Sequence, residues 1–497
     1  MNKVYLSKSR YCNCVQCMKI LWMNKYKSDK AAGVDKETVF ENGRKVGELA
    51  KGLFGHYEDI EFDLNLSNMI EKTNELLPNK PNIITEASFS YDNNFCSVDI
   101  LKNDEDGVEI YEVKSSTGVK DIYLDDASYQ YYVLSNLGLN VKKVAIVYIN
   151  NKYFREGELD LSQLFNIEDI TDIALKKQDE IRYNIEQINK FMNEHDESNE
   201  PIIEIDNHCF EPYHCDYWQY CTRDLPKPNV FDVKGMQNPE KFRKFKEGKI
   251  SFKDLENDDS IKPRFLEQID FELNNKEPKI EKEAIKDFLD SLKYPLYFID
   301  YETTQYAIPE FDGTKAYQQI PFQYSLHIIE EEGAPLIHKE FLGEFGDENI
   351  IRKFAESMIN DLKEDGSVIV YNKSFESGRN REIGRLYPDL KEEMERINTN
   401  MVDLMIPFKN RNYYTKEMKG SASLKYVLPA LYPDDPDLDY HNLPVVHNGG
   451  EAAEAFLKLE GKSKEEQEEI REGLLEYCKL DTLAMVKIWE RFCKVIK

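Results

Sequence analysis

Over 86–117, apolar and polar residues alternate with a period of two, and the turns D-N-N and N-D-E-D-G divide the stretch into three predicted strands. Alternation sorts the side chains by face. Cys96, Val98 and Ile100 are expected on one face of the middle strand and Asp99 on the other; Glu112 and Lys114 share the face of Val108 and Ile110 on the next strand. An antiparallel hairpin then brings Asp99 beside Glu112 and Lys114. Helical patterns flank these strands: NGRKVGELAKGLF presents Glu48 before them, and LDDASYQYYVLSNLG carries Gln130 after them.

The pattern changes after LPKPNVFDV. About sixty charged, helix-like residues follow, ending near NNKEPKIEKEAIKDFLDSL, and strand and helix signals alternate from Tyr294 onward. We expect two α/β domains, 1–225 and 286–497, with a helical connector at 226–285. In PLYFIDYET, Leu296, Phe298, Asp300 and Glu302 fall on one strand face. In SVIVYNKSFESGR an apolar strand ends at Tyr371-Asn372, with Glu376 in the following turn or first helical turn. The last helix opens with Ser463 and Glu466, a capping-box spacing, and its core stripe reads Leu474, Tyr477, Asp481, Ala484, Ile488. Acids that close apolar strands, or interrupt an apolar stripe, need a compensating cation.

Composition narrows the function. Of 497 residues, 41% are hydrophobic, which supports packed cores and excludes a disordered or collagen-like chain. No apolar run approaches a membrane span and the N-terminus lacks a leader's apolar segment, so the expected location is the cytoplasm. With 65 Lys+Arg against 93 Asp+Glu the net charge is −28, which argues against non-specific coating of duplex DNA. The basic residues Lys3, Lys8, Arg10, Lys19, Lys25, Lys27 and Lys30 nevertheless cluster within the first thirty, where one end of the chain can meet a polyanion. No phosphate-binding G-x-x-x-x-G-K-[ST] loop is present.

Nine cysteines, an odd count in clusters, suggest metal ligation rather than a disulfide framework. Cys209, Cys215 and Cys221 follow a C-x5-C-x5-C spacing, and Cys17 lies far upstream with Cys12 and Cys14. Four thiolates suit tetrahedral zinc or an iron–sulfur cluster, and spacing by itself favours zinc. Asp99, Glu112 and Lys114 together offer two hard-oxygen ligands for Mg²⁺ or Mn²⁺ and an ammonium to position water, the equipment of a phosphodiester hydrolase.

These residues carry two resemblances. The first part resembles the RecB-like PD-(D/E)XK nucleases, a restriction-endonuclease-like fold, in the branch allied to CRISPR adaptation. That likeness implies a site of Glu48, Asp99, Glu112, Lys114 and Gln130, and a 4Fe-4S cluster on Cys17, Cys209, Cys215 and Cys221 that ties the first helix to the last segment. The first-helix position is often His in relatives, and the usual Gln-x-x-x-Tyr ends here in Leu134. The second part resembles the DEDDy 3′–5′ exonucleases of the RNase H-like, DnaQ-like fold, through D-x-E at Asp300 and Glu302, N-x-x-x-E ending at Glu376, and Y-x-x-x-D at Tyr477 and Asp481. It implies metal ligation by Asp300, Glu302, Glu376 and Asp481 and a water-orienting Tyr477; Glu376 stands where the family usually has Asp. The whole chain looks like a bacterial family fusing the two. The implied activity is metal-dependent DNA cleavage in repair, CRISPR-related or antiviral work, on single strands or ends, with a helicase or a CRISPR or repair protein as partner. RNA processing and non-catalytic nucleic-acid binding are the rival readings.

Overall fold

The computed structural model describes residues 3–33, 37–363 and 365–497. It is a mixed α/β structure whose chain divides into two compact units, Met1–Leu225 with Tyr306–Tyr317, and Pro226–Gln305 with Gln318–Lys497. The helices of 226–285, expected as a connector, therefore group with the second unit.

In the first unit the order is β1 (Leu6–Ser7), α1 (Lys8–Gln16), α2 (Met18–Tyr26), α3 (Glu37–Lys51), β2 (Glu58–Asp59), α4 (Leu66–Leu76), β3 (Ile83–Tyr91), β4 (Asn94–Asp104), β5 (Gly107–Lys114), α5 (Asp121–Asn136), β6 (Val141–Ile149), β7 (Phe165–Asp169) and α6 (Gln178–Glu194). The strands form one sheet in the order β2-β3-β4-β5-β6-β7, with β1 beside β4. Strands β3, β4 and β5 run antiparallel, as their tight polar turns require, and the α5 crossover makes β6 parallel to β5. Tyr11, Trp22, Tyr129, Val133 and Ile181 from the helices pack on one face of the sheet. Val46 and Ala50 of α3 cover the other.

One expectation fails at the middle strand. Cys96 and Val98 pack into the first core, but Ile100 packs into the second, with Tyr111 and Ala145. The β3–β4 ladder steps from Ala87↔Val98 to Thr85↔Ile100, and Glu86, opposite Asp99, has a left-handed φ of 56°. This kink breaks the pleat, so strict alternation does not survive it.

The second unit contains β8 (Leu296–Gln305), β9 (Gln319–Ile329), β10 (Ile337–Leu342), β11 (Ser367–Val370), α7 (Lys373–Leu386), β12 (Met401–Asp403), α8 (Gly449–Leu457) and the 33-residue α9 (Lys464–Ile496) among its elements. Its sheet has the order β10-β9-β8-β11-β12, with β8, β9 and β10 antiparallel and β11 and β12 parallel to β8. Ser463 and Glu466 form the expected capping box at the start of α9. Met485, Ile488 and Phe492 of α9 share one core with Leu296 and Phe298 of β8, which brings the acids at the ends of both stripes to the same place.

Candidate active sites

Strands β4 and β5 are paired from Asp104↔Gly107 to Ile100↔Tyr111, where the ladder ends. Beyond that point Asp99 Oδ2 accepts the Val113 N–H at 2.7 Å, a side chain standing in for the ladder. Glu112 Oε1 receives Lys114 Nζ at 2.7 Å, and the same ammonium reaches Asp126 Oδ2 of α5 at 2.5 Å. One turn on, Gln130 Nε2 donates to Glu112 Oε2 at 2.6 Å and to Asp126 Oδ1 at 3.3 Å. Lys8, the first residue of α1, lies between the two strands: its Nζ is 2.9 and 3.0 Å from the two oxygens of Glu112 and 3.4 Å from Asp99 Oδ1. Asp99, Glu112, Lys114 and Gln130 thus converge. Lys8, Asp126 and the nearby Glu86 join them without having been foreseen.

Glu48 does not join them. Val46 and Ala50 turn one face of α3 to the sheet; Glu48 is exposed and pairs with Lys51 at 2.9 Å, a buried ammonium that also acts on Glu86, and among the described residues no hydrogen bond or ion pair ties Glu48 to Asp99, Glu112 or Lys114.

Burial, then the Glu112 charge, pushes the Asp99 carboxyl up to about 7, with Lys8 acting against them. Burial pushes Glu112 upward as well, but the Lys114 and Lys8 ammonium groups outweigh it and hold Glu112 below the usual carboxylate range. Burial also raises Glu86 and Asp126. Four carboxylates share this site with the Lys8 and Lys114 ammonium groups, and Lys51 also acts on Glu86; a proton on Asp99 or an added cation lessens the excess of negative charge.

Cys17, Cys209, Cys215 and Cys221 line a common pocket with Ile203, Ile205 and Tyr217. Cys17 sits between α1 and α2, where the Lys19 and Ile20 N–H groups point at its sulfur. The upstream and downstream segments are laced together: Gln16 Nε2 donates to the His208 and Tyr213 carbonyls at 2.8 and 2.7 Å, and Tyr217 donates to Asn24 Oδ1 at 2.6 Å. Burial pushes the Cys209 and Cys215 thiols up to about 12 and about 11, and raises Cys17 and Cys221. Cys209 is buried and the other three thiols are half-buried; a metal or cluster held by these residues from both ends of the domain would have to deprotonate them. Cys12 and Cys14 lie outside the pocket lining.

In the second unit, ligand atoms of Asp300, Glu302 and Cys478 lie within 4.8 Å of one another. Asp481, on the same stretch of α9 as Tyr477, accepts the Tyr440 hydroxyl at 2.5 Å on Oδ1 and is also hydrogen-bonded by Tyr477. Glu376 enters from the first turn of α7 and is buried, its Oε2 without a hydrogen-bond partner. The start of α8 approaches closely, since a methyl group on Gly449 would lie 3.4 Å from Glu302 Oε2.

Burial, followed by the neighbouring carboxylates, pushes Asp300 and Glu302 well above the usual range. Burial takes Glu376 to about 8 and Asp481 to about 6, the two tyrosine hydroxyls holding Asp481 back. Among the described residues, no ion pair within 4 Å engages any of these four acids; Lys425 acts on Glu302 and Asp481 only from farther off. Four carboxylates, with Glu302, Glu376 and Asp481 buried and Asp300 partly so, one of them with an orphaned oxygen, make a donor set suited to hard divalent cations. Sequence reading brought Asp300, Glu302, Glu376, Tyr477 and Asp481 here. It missed Tyr440 and Cys478, although Cys478 adjoins Tyr477 in the same motif.

A family described as Domain of unknown function (DUF2779) matches residues 297–423, which include Asp300, Glu302 and Glu376. An uncharacterized protein of Mycoplasma genitalium is 27% identical over 218 residues, 41% of this chain and 32% of that protein. An uncharacterized protein of Ureaplasma parvum is 27% identical over 178 residues, 34% of this chain and 25% of that one. The aligned stretches thus span about a third and a quarter of these relatives' own length. No solved structure matches.

Proposed function

We propose that this chain is a metal-dependent nuclease with two active sites, acting on DNA single strands or ends. The observation that carries the reading is the second unit's cage: Asp300, Glu302, Glu376 and Asp481 are gathered with no ion pair within 4 Å among the described residues, Lys425 and Arg379 acting only from farther off, an arrangement unstable at neutral pH unless protons or divalent ions fill it. The sheet order, with three antiparallel strands followed by two parallel ones, supports an RNase H-like domain. The hairpin that presents Asp99, Glu112 and Lys114 before the α5 crossover supports a PD-(D/E)XK domain.

In the second unit Asp300, Glu302 and Asp481 would hold Mg²⁺ or Mn²⁺, with Glu376 completing the set. Bound there, the ions supply Lewis-acid polarisation of the phosphate and acidification of water. Tyr477, whose hydroxyl reaches Asp481, would orient the attacking water. In the first unit Asp99 and Glu112 would hold the ion, Lys114 would offset charge developing on the phosphate, and Gln130 fixes the Glu112 carboxylate. The four-thiol pocket would carry a 4Fe-4S cluster of structural role, with zinc the other occupant that four thiolates admit.

The test uses end-labelled single-stranded DNA and RNA of one sequence with Mn²⁺. Trimming from the 3′ end that Asp300→Asn abolishes, and a separate DNA cleavage that Lys114→Ala abolishes, are the expected results. Intact DNA with degraded RNA would make the substrate RNA; tight, salt-sensitive binding with no turnover of either would make the chain a binding protein.

A further inference from the structure

The N-terminal acid cluster already contains a cation. Lys8 Nζ stands 2.9 Å from Glu112 Oε1, 3.0 Å from Glu112 Oε2 and 3.4 Å from Asp99 Oδ1, bridging the two strands that carry those acids. Its placement is fixed from both sides. Immediately before it, β1 pairs with β4 at Leu6↔Asn94 and Ser7↔Phe95, and the Ser7 side chain caps α1 by accepting the Arg10 N–H. Immediately after it, Tyr11 stacks on Tyr129 of α5 with ring centroids 4.8 Å apart, and α1 ends at Cys17 in the thiol pocket.

Glu112 consequently receives three protein donors, Lys8, Lys114 and Gln130. A metal ion that takes an oxygen of Glu112 has to displace one of them. Lys114 is held independently by Asp126 at 2.5 Å, and Gln130 has the same second acceptor at 3.3 Å. Lys8 is held only by Glu112 and Asp99 in these contacts, the two carboxylates the ion would claim, and its side chain keeps 23% of its exposure. It can swing toward water at least cost, since its lost ion pairs are replaced by hydration.

We propose that Lys8 is the resident cation of this site, and that a divalent ion binds by exchanging with its ammonium group. The inference rests on the reading of Asp99 and Glu112 as ion ligands. It assigns to Lys8 a positioning role: the ammonium keeps buried Glu112 and half-buried Asp99 together in the ion-free protein and sets the ion concentration the site requires.

The experiment is a Mn²⁺ titration of the full chain by calorimetry, in a background of Asp300→Asn and Asp481→Asn that silences the second cage. Mn²⁺ is hard and is poorly retained by thiols. Lys8→Met, which keeps the apolar stem, is expected to bind Mn²⁺ about ten-fold tighter, the factor that follows if the ammonium fills the site about nine-tenths of the time. The ion-free Lys8→Met protein should also melt lower and gain more from Mn²⁺, whereas Lys8→Arg retains the parental affinity. Equal or weaker binding by Lys8→Met and by a second variant, Lys8→Gln, with parental binding intact and sensitive to Glu112→Gln, overturns the exchange and leaves the ion site standing. Absence of binding in the parent and in both variants overturns the exchange together with the reading beneath it.

Discussion

Tyr440 donates its hydroxyl to Asp481 Oδ1 at 2.5 Å, while Tyr477 reaches the same carboxylate from one turn earlier on α9. Both bonds favour the ionised acid against the burial that takes it to about 6. Tyr440→Phe removes one, so Asp481 should ionise at higher pH. We expect the variant to need more Mn²⁺ than the parent for half-maximal 3′ trimming at pH 6, with the deficit gone at pH 8. A smaller Mn²⁺ requirement at pH 6 would instead make the hydroxyl a competitor of the ion.

The four acids of the second cage all have folded values above the ordinary range, with Asp481 at about 6 and Glu376 at about 8. A carboxyl raised in this way stabilises the fold while protonated, and that stabilisation is lost as pH rises through its folded value. Ion-free protein should therefore melt at progressively lower temperature between about pH 5 and pH 9. Mn²⁺ should restore more stability at the alkaline end. Scanning calorimetry at several pH values checks this, and Asp300→Asn should flatten the slope.

Lys114 bridges Glu112 and Asp126, and each of the three side chains is at most about a fifth exposed. Removing one partner of a buried network leaves charge without compensation, at a cost of about 3 kcal/mol. Lys114→Ala should lose about that much stability in urea denaturation and abolish only the first site's cleavage. An undiminished 3′ trimming rate in the same preparation would show that the second unit remains folded.

The acids of the second cage were legible because they sit on regular elements. Asp300 and Glu302 continue the stripe of Leu296 and Phe298, and Tyr477 and Asp481 lie one helical turn apart within an apolar seam. Glu112, Lys114 and Gln130 were legible for the same reason. Glu86 was not, because its left-handed backbone breaks the alternation from which faces are read. Tyr440 lies in a short 3₁₀ turn with no periodicity to place it. Lys8 belonged to a basic segment whose natural reading was a polyanion contact; only the β1–β4 pairing reveals that its partners are internal acids. Glu48 is not bonded to the other acids: its helix turns Val46 and Ala50 to the sheet, and the acid pairs with Lys51 instead.

Cys209 and Cys215 are protonated at neutral pH in the thiol pocket, with values of about 12 and about 11, and Cys17 and Cys221 are raised in the same direction. Loading the pocket should release about four protons, one per thiol. Calorimetric titration with Zn²⁺ in buffers of different ionisation enthalpy measures the number, and Cys17→Ser should lower it by about one. Iron and sulfide content after anaerobic purification distinguishes a cluster from zinc.

The most direct measurement is anomalous diffraction at the manganese edge from crystals soaked in Mn²⁺. Peaks bounded by Asp300, Glu302 and Asp481, and by Asp99 and Glu112 with Lys8 turned aside, are predicted. Manganese found only on surface acids, with both cages empty at saturating concentration, would contradict a two-site metal-dependent nuclease.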